Sequence, residues 1–154
     1  FGQFGKRGQG YSVKTLSEVL DRIVGLNRVW SVVLVGAGNL GRALFRYPGF
    51  KKQGFEFVAI FDNDPAKIGK RWGSVRIEDE KKMDSIIKKK RIKIAILAVP
   101  AEVALKVGTD LRKAGIEVIL NFAPQKLDLG KKVKVHNIDL ATELQTLVYY
   151  LSHK

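Results

Sequence analysis

The six residues Gly36-Ala37-Gly38-Asn39-Leu40-Gly41 have the types and spacing to hold a pyrophosphate. They follow directly on the apolar run Val29-Trp30-Ser31-Val32-Val33-Leu34-Val35 and lead into helical periodicity, so they form the turn of a strand–turn–helix unit. In that setting Gly36 permits the tight turn, Gly38 lets the backbone approach the phosphates, and Gly41 lets the helix pack closely on the sheet. Ala37, Asn39 and Leu40 complete the turn, and the helix start offers unpaired N–H groups and positive dipole to the anion. Asp62 ends the next apolar run, 21 residues after Gly41, where a carboxylate can accept hydrogen bonds from a ribose diol. A phosphate on that hydroxyl would be repelled. Asn63 and Asp64 follow with no adjacent Arg, which favours NAD(H) over NADP(H).

Two more segments fall at the carboxyl ends of strands, where ligands bind in open parallel sheets: Ala98-Val99-Pro100 and Asn121-Phe122-Ala123-Pro124. Their apolar atoms and free amides suit a nicotinamide or adenine ring, and they equally suit two loops stiffened by proline. Other chemistry is poorly supplied. The absence of cysteine excludes disulfides, thiolate metal sites, iron–sulfur clusters and a Cys nucleophile. Two histidines, His136 and His153, are too few for a His-based metal cluster, and both read as surface residues. A dehydrogenase would need a substrate pocket and a group that moves a proton near the reacting carbon. Only one helix follows the sheet, so the cofactor reads as signal rather than reagent, and no catalytic residue is assigned.

The elements that must position these residues are legible as periodicity. Ser12 can cap a helix over 12–26, with Leu16, Leu20, Ile23 and Val24 on one face. Strands are expected at 29–35, 55–61, 74–77, 92–99 and 116–121, with a short edge strand at 132–135. Helices are expected from Asn39 to Tyr47, stopped by Pro48-Gly49, then in the lysine-rich stretch, from Pro100 to near Gly115, and from Ala141 to Leu151. Alternating strands and helices define an α/β fold, a Rossmann-type doubly wound parallel sheet with right-handed crossovers. The 154 residues suit one domain, and 45% hydrophobic with 28% charged residues supports a packed core. No apolar run approaches the roughly 18 residues that span a membrane, and no secretory leader opens the chain, which points to the cytoplasm.

The net charge is +13. Its densest part, Lys81 to Lys93, invites a nucleic-acid reading. Met83, Ile86 and Ile87 recur there at helical spacing, however, and describe an amphipathic helix with a solvated basic face. Lys6-Arg7 lies among Gly2, Gly5, Gly8, Gly10 and the aromatics Phe1, Phe4 and Tyr11. These residues leave two readings open, a cationic finger for a DNA groove and a loose terminus.

Taken together, Phe4-Gly5-Lys6-Arg7-Gly8-Gln9-Gly10-Tyr11, Gly36 to Gly41, Tyr47-Pro48-Gly49-Phe50, Phe61-Asp62-Asn63-Asp64-Pro65-Ala66-Lys67-Ile68-Gly69, Asn121-Phe122-Ala123-Pro124 and Asn137-Ile138-Asp139 resemble the redox-sensing transcriptional repressors of the Rex family. The resemblance is colinear over nearly the whole chain. It implies a homodimer with an N-terminal winged-helix domain for operator DNA and a C-terminal Rossmann domain for NADH and NAD, with no metal and no membrane. Residues 1–11 would be the end of the wing, with Lys6 and Arg7 its DNA-contacting remnant, so that most of the winged helix is missing and DNA binding is poor. Residues 12–28 would be a linking helix, 29–138 the nucleotide domain, and 139–154 a C-terminal helix swapped between subunits. By position, Gly36 to Gly41 would hold the pyrophosphate, Asp62 the adenine ribose, and Lys67 and Ile68 the adenosine end. Val99, Pro100, Asn121, Phe122, Ala123 and Pro124 would line the nicotinamide side. Tyr47 and Asp139 would form the contact that changes with redox state. Leu140 stands where some relatives carry a Phe, the family's plug into the partner's nicotinamide pocket. An NAD-dependent dehydrogenase fragment and a CoA-binding Rossmann module remain the alternatives.

Overall fold

The computed structural model describes residues 28–152, so the expected finger at 1–11, the helix at 12–26 and His153 lie outside the described residues. Strands are β1 (Trp30–Val35), β2 (Phe55–Asp62), β3 (Arg71–Trp72), β4 (Val75–Asp79), β5 (Ile94–Leu97), β6 (Val118–Asn121) and β7 (Lys134–Asn137). Helices are α1 (Asn39–Arg46), α2 (Pro48–Lys52), α3 (Met83–Lys90), α4 (Ala101–Ala114) and α5 (Leu140–Ser152), with a 3-10 turn at Glu80–Lys82. The chain divides into two compact units, whose described parts are residues 28–30 with 48–56 and residues 31–47 with 57–152.

In the first unit α2 begins at Pro48, a position where the missing proline N–H has no intrahelical partner to lose. The Trp30 N–H donates to the Gly54 carbonyl at 2.7 Å, and the Arg28 guanidinium stacks 4.0 Å above the Trp30 ring. Pro48-Gly49 thus opens a helix as well as following one. Helix α1 has already ended at Arg46, and Tyr47 is extended at φ −67° and ψ 115°.

Among the described residues the strands form a seven-stranded sheet ordered β3-β4-β2-β1-β5-β6-β7. The pairs β1–β5, β2–β4, β5–β6 and β6–β7 are parallel, with Val35 opposite Leu97, Asp62 opposite Asp79, and Asn121 opposite Asn137. The order runs outward from β1 in both directions, which opens a crevice at the carboxyl ends of the central strands. In the second unit Val33, Val35, Phe61, Leu97 and Ile119 of the sheet are buried with Met83 and Ile87 of α3 and with Ala104, Val107, Leu111 and Ala114 of α4. The expected solvated face is present too: Lys81, Lys82, Lys88, Lys89, Lys90, Arg91 and Lys93 are all exposed.

Three departures from expectation have local causes. The lysine-rich segment breaks into the 3-10 turn and α3 because the Asp79 carboxylate accepts the Lys81 N–H at 3.0 Å, fixing a tight turn before the helix proper. Strand β3, unforeseen, pairs antiparallel with β4 across Gly73-Ser74, with Gly73 at φ +58°. Its Trp72 ring joins Phe45 and Phe57 in a row, with centroids 5.6 and 5.4 Å from Phe45. Strand β7 begins at Lys134, two residues later than expected, because Leu127, Leu129 and Val133 are first buried beneath the connection, where two leucine methyls pack on Gly108 of α4.

Candidate dinucleotide site

The glycine turn is shaped by close contacts. Gly36 has φ +109°, a Cβ on it would collide with the Ala98 carbonyl oxygen, and its N–H donates to Phe61 O at 2.9 Å. A Cβ on Gly41 would collide with the Gly36 carbonyl oxygen, so α1 can lie this close to the turn only with glycine there. Gly38 caps α1, and a Cβ there would meet nothing within 4 Å, which leaves open space over the turn. No side chain caps α1 and no acid sits in its first turn, so the first-turn N–H groups face an approaching anion without competition.

Asp62 ties the turn to β2. Its Oδ2 accepts the Ala37 N–H at 2.7 Å and its Oδ1 the Asp64 N–H at 2.8 Å. Each carboxylate oxygen has a second acceptor position, so a ribose diol can still be bound.

Gly36, Gly38, Asn39, Leu40, Asp62, Lys67, Val99, Pro100, Phe122 and Pro124 line one cleft of about 490 Å³. Ten of the residues singled out from the sequence are thereby brought together. Ala37 is buried and serves through its N–H to Asp62, and Gly41 lies beneath the turn. Ile68 lines an adjoining cleft of about 700 Å³ with Pro65, Met83, Lys106 and Asp110. Asn63 and Glu80 belong to both clefts.

Four of the expected residues stand elsewhere. Asn121 is fully buried, its Nδ2 donating to Gln125 O and Asn137 Oδ1, both at 2.8 Å, while its Oδ1 accepts the Ala123 N–H at 3.0 Å. Asn137 Oδ1 also takes the Leu127 N–H at 3.0 Å. The amide of Asn121 is therefore spent inside the protein. It shapes the turn that presents Phe122 and Pro124, and buried Ala123 is part of that scaffold. Replacing Asn121 with Ala leaves several buried groups without partners and should lower stability by about 3 kcal/mol in urea unfolding; an unchanged midpoint would show that the network is dispensable. Tyr47 is exposed and off the cleft wall. Asp139 caps α5, with Oδ1 accepting the Ala141 and Thr142 N–H groups at 3.0 and 3.3 Å. Bonds from Thr142 and then Ala141 hold its carboxyl below the usual range. Lys6 and Arg7 lie outside the described residues.

Glu80 and Val103 were missed by sequence reasoning. Glu80 carried no signal in the sequence, because its place in the cleft depends on β4 lying beside β2. Burial pushes its carboxyl up, with Asp62, Asp110 and Asp79 adding to the effect and Lys106 opposing it. Ionising Glu80 thus costs more in the folded chain than in the unfolded one. That penalty is absent below the unfolded value, grows as pH rises through the folded one, and is complete when Glu80 is ionised in both states. Glu80→Gln should therefore raise the thermal midpoint at pH 7 and change it little near pH 4; equal gains at both would contradict this origin.

A glycine turn on a helix N-terminus, with an acid ending the neighbouring strand at the point where the sheet order diverges, defines a Rossmann-type nucleotide-binding domain. Residues 27–125 match the domain family described as CoA binding domain, to which this part of the chain belongs. The chain is 47% identical to the redox-sensing transcriptional repressor Rex of Chloroflexus aggregans, over all 154 residues and 73% of that relative. Two solved structures of RSP agree over most of the chain. RSP in complex with β-NAD+ and operator DNA matches at 35% identity and a TM-score of 0.85, covering 97% of this chain and 69% of that one. RSP in complex with β-NADH matches at 34% identity and a TM-score of 0.83, covering 93% and 69%. The chain belongs to the Rex family of redox-sensing transcriptional repressors.

Proposed function

We propose that the protein is an NADH/NAD redox-sensing repressor in which NADH, bound in the cleft between the glycine turn and Asp62, rearranges a homodimer and releases operator DNA. The observation that carries this reading is the convergence of Gly36, Gly38, Asp62, Val99, Pro100, Phe122 and Pro124 on one cleft of a chain akin to Rex repressors. The protein acts as a regulator and not as an enzyme, and a soluble DNA-binding protein of this kind works in the cytoplasm. Among the described residues no helix is long and apolar enough to cross a membrane.

The sensing has a physical basis. Oxidised nicotinamide carries a ring charge that NADH lacks, and the apolar surface of Val99, Phe122 and Pro124 disfavours that charge. NADH can shift a two-state dimer only through its preference for one arrangement, so it must bind the DNA-incompetent one more tightly. Tyr47 and Asp139 would report the redox state to the dimer, residues 1–11 would be the end of a DNA-binding wing bearing Lys6 and Arg7, and 12–28 a linking helix. Lys67 and Ile68 would hold the adenosine end.

Helix α5 would be the subunit contact. Leu140, Leu144, Leu147 and Leu151 recur at spacings of four and three along it and are 62 to 68% exposed, an apolar stripe that a partner helix would cover. Leu140→Asp should weaken the dimer in analytical ultracentrifugation. An unaltered dimer together with unaltered NADH affinity would count against α5 as the contact.

Fluorescence anisotropy of labelled operator DNA with the full-length protein tests the function. Release by NADH and retention with NAD is the expected result, and equal behaviour with both would refute redox sensing. The CoA reading of the domain family has Asp62 against it, because CoA carries a phosphate on its ribose and the carboxylate would repel it.

A further inference from the structure

Three carboxylates line the cleft, Asp62, Asp64 and Glu80, and Glu80 is the one that no backbone amide neutralises; its role deepens the NAD(H) reading on which it rests. Asp62 and Asp79 are register partners on adjacent parallel strands, about 4.8 Å apart, and Glu80 follows Asp79 at the same end of the sheet. The first two acids are already engaged. Both oxygens of Asp62 accept backbone N–H groups, and Asp79 caps the 3-10 turn. Glu80 takes part in no ion pair or side-chain hydrogen bond among the described residues, is half-buried, and lines both clefts at their junction.

The cations near it do little to cancel its charge. Lys106, which faces Glu80 from α4, is paired with Asp110 at 3.1 Å. Lys81 and Lys113 line the wider cleft, where Asp79, Asp84 and Asp110 stand among them. Lys67 lines the cleft with Asp62, Asp64 and Glu80, so over the two clefts six acids (Asp62, Asp64, Asp79, Glu80, Asp84 and Asp110) face four lysines (Lys67, Lys81, Lys106 and Lys113), and a chain of net charge +13 presents a locally acidic wall where the ribose beside Asp62 would lie.

We propose that Glu80 is a specificity-determining residue of the cleft: with Asp62 it repels a phosphate ester on the adenosine ribose, and so admits NAD(H) and rejects NADP(H). Asp62 alone would discriminate less, because the Ala37 and Asp64 amides spread its charge. Glu80 adds a carboxylate whose field is weakly screened because it is partly withdrawn from water.

Calorimetric titration of the whole chain, its Glu80→Gln and its Glu80→Lys variants with NADH and NADPH at low and high salt tests this. The ratio of NADPH to NADH affinity should rise about tenfold in Glu80→Gln and further in Glu80→Lys. The gain in Glu80→Gln should shrink at high salt, as a charge effect must. NADH binding by each variant reports that its cleft is folded. A ratio within twofold of the starting chain in both variants, with NADH still bound, would overturn the role of Glu80. Failure of the unaltered chain to bind NADH would be a different result, removing the cofactor reading and this inference with it.

Discussion

Replacing Gly36 with Ala should abolish NADH binding and lower the stability of the domain by about 3 kcal/mol or more. Two independent penalties act at this position. The backbone is at φ +109°, a conformation that side-chain-bearing residues rarely adopt, and the new methyl would lie on the Ala98 carbonyl oxygen at the end of β5. Neither can relax cheaply, because the Gly36 N–H is bonded to Phe61 O on β2 and the Ala98 N–H to Val35 O on β1. Any movement that relieves the clash would pull the turn away from the strands that support it. Helix α1 would follow, since Gly41 rests on the Gly36 carbonyl. Calorimetry with NADH and urea unfolding check both effects. A variant with an unchanged unfolding midpoint and NADH affinity within threefold would show that the turn does not position the ligand.

The second large effect is expected at Asp62. Asp62→Ala removes a charged acceptor for the ribose diol, worth roughly 2 kcal/mol, and should weaken NADH binding about 30-fold. It also strips the Ala37 and Asp64 N–H groups of their acceptor, so some stability is lost with the affinity. The subunit contact proposed for α5 does not involve Asp62, and the dimer should persist. Asp62→Asn, which keeps an acceptor oxygen but no charge, should fall between the two. Unchanged NADH affinity in Asp62→Ala would remove the residue from the site.

These two residues are legible in the sequence because their constraints are local. A glycine that must adopt positive φ after a buried strand, and an acid that ends the next strand, are set by chain geometry within one strand–turn–helix–strand unit. The apolar runs locate β1, β2, β5 and β6 for the same reason, and Met83, Ile86 and Ile87 mark the basic stretch as a solvated face. What sequence could not supply came from contacts between distant segments. Asn121 ends β6 just before a turn that sequence alone offers to a ligand, yet Asn137, its register partner on β7, claims its amide. Glu80 reaches the cleft only because β4 lies beside β2, a pairing invisible in the run Asp79-Glu80-Lys81-Lys82. Strand β3 is two residues long, too short for periodicity to reveal.

The proposed repressor works only if this fold distinguishes the two redox forms of one dinucleotide. The most direct test is calorimetric titration of the chain with NADH and NAD in the same buffer. One NADH should bind per subunit, at least about tenfold more tightly than NAD. Equal affinity for the two forms, or no binding of either, would contradict redox sensing.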